Sequence, residues 1–244
     1  MSGRNLSKQE KYEAKRARRE LEAGRRRQGR LVKRISLWAF VGVLVVGAVF
    51  GLANLGEVGS GGGAILMDAV APSDWVKGNA VASVTLIEYS DFQCPACGTY
   101  YSLVQQLNEE FGDRIQFVYR HFPLRQIHAN AELAARAAEA AGRQGKFWEM
   151  HDLIFENQRS WSDQSSAEDV FVSYAETLEL NIKQFRSDID DGEIKGKVSD
   201  DYSSGIRSGV DSTPTFFLNG VKIQNPRAYE EFRNVIEQAL ASNS

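Results

Sequence analysis

The sequence predicts a mixed α/β domain held behind one membrane-spanning segment. Three observations predict it. A β-branched strand is followed by a helix and a second strand, an order that gives a parallel pair joined by a crossover. A hairpin and a last helix close the chain and add antiparallel strands to the same sheet. Ahead of the domain, 22 uncharged residues stand between Arg34 and Glu57.

The elements follow in order. SVTLIEY (83–89) is apolar and β-branched and reads as a buried strand. After a turn, a helix runs to about Phe111. RIQFVYRHF (114–122) alternates and reads as the second strand. Residues 129–157 are rich in Ala, Glu and Leu at helical spacing and form one or two helices. Residues 166–180 and 183–209 read as further helices. TFFLNGVKI (215–223) is a hairpin around Asn219-Gly220, a pair suited to a type I′ turn. Residues 227–241 form the last amphipathic helix, and helices are expected on both faces of the sheet.

The chain has 244 residues, 43 % hydrophobic and 25 % charged, with two cysteines. These values exclude a wholly disordered chain, a collagen-like fibre and a disulfide-stapled mini-protein. The net charge of −3 averages two unlike parts. Residues 1–34 hold 13 basic and 4 acidic residues, a net +9, and the rest holds 16 basic and 28 acidic, a net −12. About 20 apolar residues cross a hydrocarbon core, so ISLWAFVGVLVVGAVFGLANLG (35–56) is read as an anchor. Lys33 and Arg34 before it place the N-terminus in the cytoplasm and the acidic body outside. A cleaved signal peptide fits less well, because no A-x-A pattern follows the apolar run. A buried core helix would show a polar face. The basic arm reads as a solvated topology signal, and no nucleic-acid-binding module is visible in it. The expected organisation is a basic arm (1–34), the anchor (35–56), a Gly-rich tether (57–74) and the folded domain (75–244).

The chemistry lies in Cys94-Pro95-Ala96-Cys97, just after the first strand and opening a helix. This spacing places both sulfurs on one side of the first turn. Unpaired amides at the helix N-terminus and the positive end of its dipole favour a thiolate at Cys94, and thiols in such pairs fall to roughly pKa 3.5–7. Cys94 is expected exposed and nucleophilic, and Cys97 buried and resolving. A structural disulfide is a competing reading, but a four-residue loop restrains little. Half a zinc site would need two of His121, His128 and His151 to converge on the pair. A chance pair is the third alternative. Thr213-Pro214, ahead of the hairpin, is a candidate cis peptide beside the cysteines; a plain turn proline is the alternative. Glu88 lies within the first strand. Burial would raise its pKa and suit it to take a proton from Cys97, whereas a solvated edge position would leave it without a role.

At these residues the chain resembles the DsbA-like thiol:disulfide oxidoreductases of the thioredoxin superfamily, above all the branch with membrane-anchored enzymes of Gram-positive bacteria. The matching segments are EYSDFQCPACGTY (88–100), YRHFPL (119–124), GKFWEMHDLIFENQ (145–158) and STPTFFLNG (212–220). The resemblance implies a thioredoxin-like fold with a helical insertion at about 128–210. It implies Cys94 as nucleophile, Cys97 as resolving thiol, Pro214 as cis-proline preceded by Thr213, and Glu88 as a buried acid near Cys97. It makes His121, Trp148 and His151 packing residues. The strong oxidases of the family carry His where this chain has Ala96.

The expected activity is oxidation of cysteines in exported proteins through a Cys94–Cys97 dithiol/disulfide, with no cofactor beyond that pair. A membrane quinone-linked thiol oxidase is the expected redox partner, and the expected state is a monomer at the bacterial cell membrane. A reductase or isomerase using the same site remains open because of Ala96. So does a peptide-binding or chaperone module with a non-catalytic or zinc-bound pair.

Overall fold

The computed structural model describes residues 64–165 and 167–242. The basic arm, the anchor at 35–56 and the first residues of the tether lie outside them. Among the described residues no helix is long and apolar enough to cross a membrane.

Strand β2 (Val84–Ser90) runs parallel to β3 (Ile115–His121), with α1 (Pro95–Phe111) crossing between them. Strand β1 (Trp75–Gly78) pairs antiparallel with β3 at one edge. Strand β4 (Thr215–Leu218) lies antiparallel to β2, and β5 (Val221–Lys222) closes the hairpin on the other edge. The strand order is thus β1-β3-β2-β4-β5. Asn219 and Gly220 form the hairpin turn at φ 49° and 81°, as an Asn-Gly type I′ turn requires.

The helical insertion fills the connection from β3 to β4. It contains α2 (Ala131–Gly142), α3 (Phe147–Glu156), the short α4 (Gln158–Trp161), α5 (Ala167–Thr177), α6 (Ile182–Ile189) and α7 (Gly192–Arg207). The last helix is α8 (Tyr229–Ser242). The expected helix over 183–209 is two helices. Asp191 ends the first by accepting the amides of Glu193 and Ile194 and capping the second.

Alternation along β2 sorts the core. Val84 and Leu86 pack with Phe117, Tyr119 and Phe216 beneath α1, α8 and the insertion. Ile87 and Tyr89 point to the other face, with Val118, Phe122, Val210 and Phe217. That second face is covered by α7 and by the segment carrying Leu66 and Val70. Residues 64–74 therefore do not behave as the later part of a tether. Ile65 bridges Val221, and the Leu66 amide donates to the Gly220 carbonyl at 2.8 Å. The sequence signal was weak there because the segment packs without regular periodicity. Its anchor is Arg120, which donates to Asp74 (2.7 and 3.1 Å), to the carbonyls of Asp68 and Ala69, and to the Tyr89 hydroxyl.

Candidate active site

The turn from β2 into α1 is built by Asp91. Its buried carboxylate accepts the amides of Gln93 (2.7 Å) and Leu124 (2.8 Å) and contacts His128 Nδ1 (2.7 Å). Its backbone carbonyl accepts the Cys94 amide at 3.1 Å, and its amide donates to the Cys97 sulfur at 3.5 Å. Cys94 is the N-cap of α1 in an extended conformation, and no side chain caps the helix. Pro95 at the first helical position has no N–H to leave unpaired. The first amides of α1 are therefore free to face the Cys94 sulfur.

The structure brings Cys94, Cys97, Thr213 and Pro214 together, with Glu88 behind. Both cysteines are free thiols. Cys94 is 8 % exposed and Cys97 fully buried. Cys94 is thus more covered than the expected exposed nucleophile, because the 213–214 loop packs over it and its sulfur lies 3.5 Å from the Thr213 carbonyl oxygen. Pro95 and Ala96 form the exposed tip. The Thr213–Pro214 peptide is cis, and the Pro214 carbonyl is held by the Asn225 carboxamide at 2.7 Å.

The two thiols sit in opposite environments. Cys94 is pulled down to about 5, chiefly by a hydrogen bond from the Cys97 thiol. Burial works against this, and the amides of Cys97 and Ala96 add to the lowering; the Thr213 hydroxyl makes no hydrogen bond of normal geometry, so it adds little. Cys97 is pushed well above the ordinary thiol range by burial first, then by the neighbouring Cys94 and Glu88. Glu88 lies on the α1 face of β2, between Tyr119 of β3 and Phe216 of β4. It is 3 % exposed, and burial pushes it up to about 7. Ser90 Oγ makes no hydrogen bond of normal geometry, so it offsets little of this.

Gln93, Asn130 and Gln158 form a support of carboxamides that sequence reasoning missed. Gln158 Nε2 donates to the carbonyls of Phe92 (2.7 Å) and Cys94 (2.9 Å). Gln93 donates to the Ser162 carbonyl and accepts the Asn130 amide, both at 2.7 Å. Asp91 had a local signal, an acid two residues before the amide it caps. Gln158 had none, since its partners lie over 60 residues upstream. Beside this support runs an open groove of about 1070 Å³ lined by Gln93, Pro95, Gly98, His128, Gln158 and Ser162 among others.

The three histidines do not converge on the cysteines. His121 meets Glu139 (2.9 Å), His128 meets Asp91 and His151 meets Asp152 (2.8 Å). His151 packs among Phe92, Tyr119 and Phe155, and the Trp148 indole donates to the Val76 carbonyl. Among the described residues, His121, Glu139 and Asp201 place donor atoms within 4.8 Å of one another, as a metal would need. The Lys197 ammonium, 2.6 Å from both Asp201 oxygens, supplies the positive charge there.

Comparison with known proteins agrees with this geometry. The family model described as thioredoxin matches residues 71–238. The Na(+)/H(+) antiporter NhaA 3 of Salinispora tropica is 39 % identical over 178 residues, covering 72 % of this chain and 26 % of that protein. NhaA 1 of Mycolicibacterium vanbaalenii is 37 % identical over 166 residues, covering 66 % and 26 %. The chain therefore spans about a quarter of the length of these curated relatives. Among solved structures, Wolbachia pipientis alpha-DsbA1 superposes with a TM-score of 0.64 at 23 % identity, covering 71 % of this chain and 94 % of that one. Oxidised BdbD from Bacillus subtilis gives 0.65 at 22 %, covering 73 % and 99 %. These solved structures share the fold.

Proposed function

Because this chain belongs to the thioredoxin family, we propose that it is a DsbA-like protein thiol:disulfide oxidoreductase that oxidises cysteines of exported proteins. The observation that carries the reading is the opposed environment of its two thiols, one held as thiolate at a helix N-terminus and the other buried over an acid. In the oxidised enzyme a substrate thiolate attacks Cys94 Sγ. The Cys94–Cys97 bond breaks, and the electron pair goes to Cys97 Sγ, which takes a proton from neutral Glu88. The second substrate thiolate then attacks the substrate sulfur of the mixed disulfide and expels Cys94 as a thiolate. The substrate gains a disulfide and the enzyme holds two electrons as its dithiol. The backbone beside cis-Pro214 is suited to receive the extended substrate segment.

The dithiol is reoxidised by a membrane quinone-linked thiol oxidase, with Glu88 taking the proton back from Cys97. Residues 35–56 anchor the chain with its domain outside the cytoplasm, and the enzyme works as a monomer. A reporter fused after residue 244 and active only outside the cytoplasm tests the topology; an expressed but inactive fusion overturns it.

A second reading, a reductase, is favoured by Ala96, which offers no side-chain donor to the thiolate. The reduction potential of the full chain, equilibrated against glutathione buffers, separates the two. A value nearer to disulfide isomerase (about −180 mV) than to thioredoxin (about −270 mV) supports the disulfide donor. A value at thioredoxin's end overturns it in favour of the reductase.

A further inference from the structure

We propose that Gln158 is a positioning residue for Cys94: its carboxamide, reaching out of the helical insertion, holds the carbonyls of Phe92 and Cys94 and so aims the first amides of α1 at the Cys94 sulfur. This role rests on the redox reading of the site given above.

The geometry is specific. Two carbonyls on either side of Gln93 must turn to one side of the chain for a single NH₂ group to reach both, at 2.7 and 2.9 Å. The Cys94 carbonyl also accepts the Gly98 amide at 3.1 Å, the first bond of the helix. Fixing that carbonyl fixes the peptide planes that follow it. Those planes carry the Ala96 and Cys97 amides that stabilise the thiolate. Ala96 adds no side-chain donor, so the direction of these amides matters more here than where a histidine shares the task.

Gly98 is the matching half of the device. A Cβ placed there would lie 2.7 Å from Gln158 Oε1 and 3.2 Å from its Cδ. The carboxamide lies over this bare stretch of α1 and can occupy that space only because residue 98 has no side chain. Gly98 is not in a left-handed conformation, and glycine within a helix is otherwise unfavourable against alanine. The position thus gives up helix stability to admit the Gln158 side chain.

The test measures the pH dependence of Cys94 alkylation by iodoacetamide in the reduced full chain, together with its reduction potential. Buried Cys97 does not compete for the reagent. Gln158→Ala removes the donor, and Gly98→Ala displaces the carboxamide while favouring the helix, so it reports even if Gln158→Ala folds poorly. Each is expected to raise the alkylation midpoint by about one pH unit, the scale of one lost hydrogen bond. That tenfold weaker stabilisation of the thiolate lowers the potential by about 30 mV. The double variant is expected to shift no further than either single one, because both changes remove the same contact. Wild-type profiles in both single variants overturn the proposal, as do shifts that add fully in the double variant. A wild-type Cys94 that titrates like an ordinary thiol overturns the redox reading itself, an outcome distinct from the failure of Gln158 alone.

Discussion

Replacing Glu88 by Gln tests the buried acid through stability and through chemistry at once. The carboxyl has an ordinary value of 4.5 and is raised by burial to about 7 in the folded chain. Below about pH 4.5 it is protonated in both states and its charge costs nothing. Between about 4.5 and 7 the unfolded chain releases the proton and the folded chain keeps it, so stability falls as pH rises. Above about pH 7 the folded carboxylate is ionised too, and the full cost stands. A gap of about 2.5 pH units is worth about 3 kcal/mol. Glu88→Gln keeps the shape and removes the titration. Urea unfolding of the oxidised full chain, in which neither cysteine titrates, is expected to show the variant gaining about 2.5 kcal/mol on the wild type between about pH 5 and pH 8.5. The same variant cannot hand a proton to or from Cys97. Its rate of mixed-disulfide formation with a reduced substrate at neutral pH is expected to fall by about a hundredfold, the low end of general acid–base catalysis. Parallel stability curves for the two chains across that pH range would refute the reasoning, because they would mean that the carboxyl does not hold its proton in the folded state.

Other residues give sharper tests of packing. Arg120→Met leaves Asp74, with 3 % of its side chain exposed, as a buried charge lacking its main partner; the expected loss is about 3–5 kcal/mol, read as a drop of about 10 °C or more in Tm. On α7, Gly205→Ala would bring a Cβ within 2.6 Å of the Phe122 ring and 3.0 Å of Tyr89. It is expected to destabilise by about 1–2 kcal/mol in chemical denaturation, even after the gain in helix propensity. Gly196→Ala on the same helix meets nothing within 4 Å and is expected to stabilise by about 0.5–1 kcal/mol.

What the sequence revealed and what it hid have a common cause. The strand–helix–strand opening, the Asn219-Gly220 hairpin and the closing helix were legible because each is fixed by local periodicity or turn chemistry. The cysteines were legible because their spacing and position carry the chemistry by themselves. Strand β1 and residues 64–74 were not. Three half-buried residues and an exposed glycine at a sheet edge show no clear alternation, and the covering segment is held by Arg120, about 50 residues later in the chain. The break between α6 and α7 was hidden because Asp190-Asp191 continues a plausible helical surface, and only the cap geometry reveals the stop. The carboxamides of Gln93, Asn130 and Gln158 left no trace, since a glutamine that holds distant carbonyls looks the same as a solvated one.

The thiol environments also bear on the direction of electron flow, which the sequence left open at Ala96. Stabilising the thiolate stabilises the reduced enzyme, so a lower Cys94 value makes the disulfide more oxidising. Thioredoxin, with a thiol near pKa 7, stands at about −270 mV, and DsbA, with one near 3.5, at about −120 mV. Cys94 at about 5 lies slightly beyond the midpoint of that interval on DsbA's side. Scaling between the two places the potential near −185 mV, and the bare thermodynamic slope of about 30 mV per decade from thioredoxin gives about −210 mV. Both values lie nearer to disulfide isomerase than to thioredoxin, which favours donation of disulfides. The absence of a side-chain donor at Ala96 is thus offset in part by the Cys97 thiol and the amides of α1. Equilibration of the full chain against glutathione is expected to give a midpoint nearer to disulfide isomerase (about −180 mV) than to thioredoxin (about −270 mV). A midpoint at or below about −250 mV would mean that these donors do not hold the thiolate as the geometry requires.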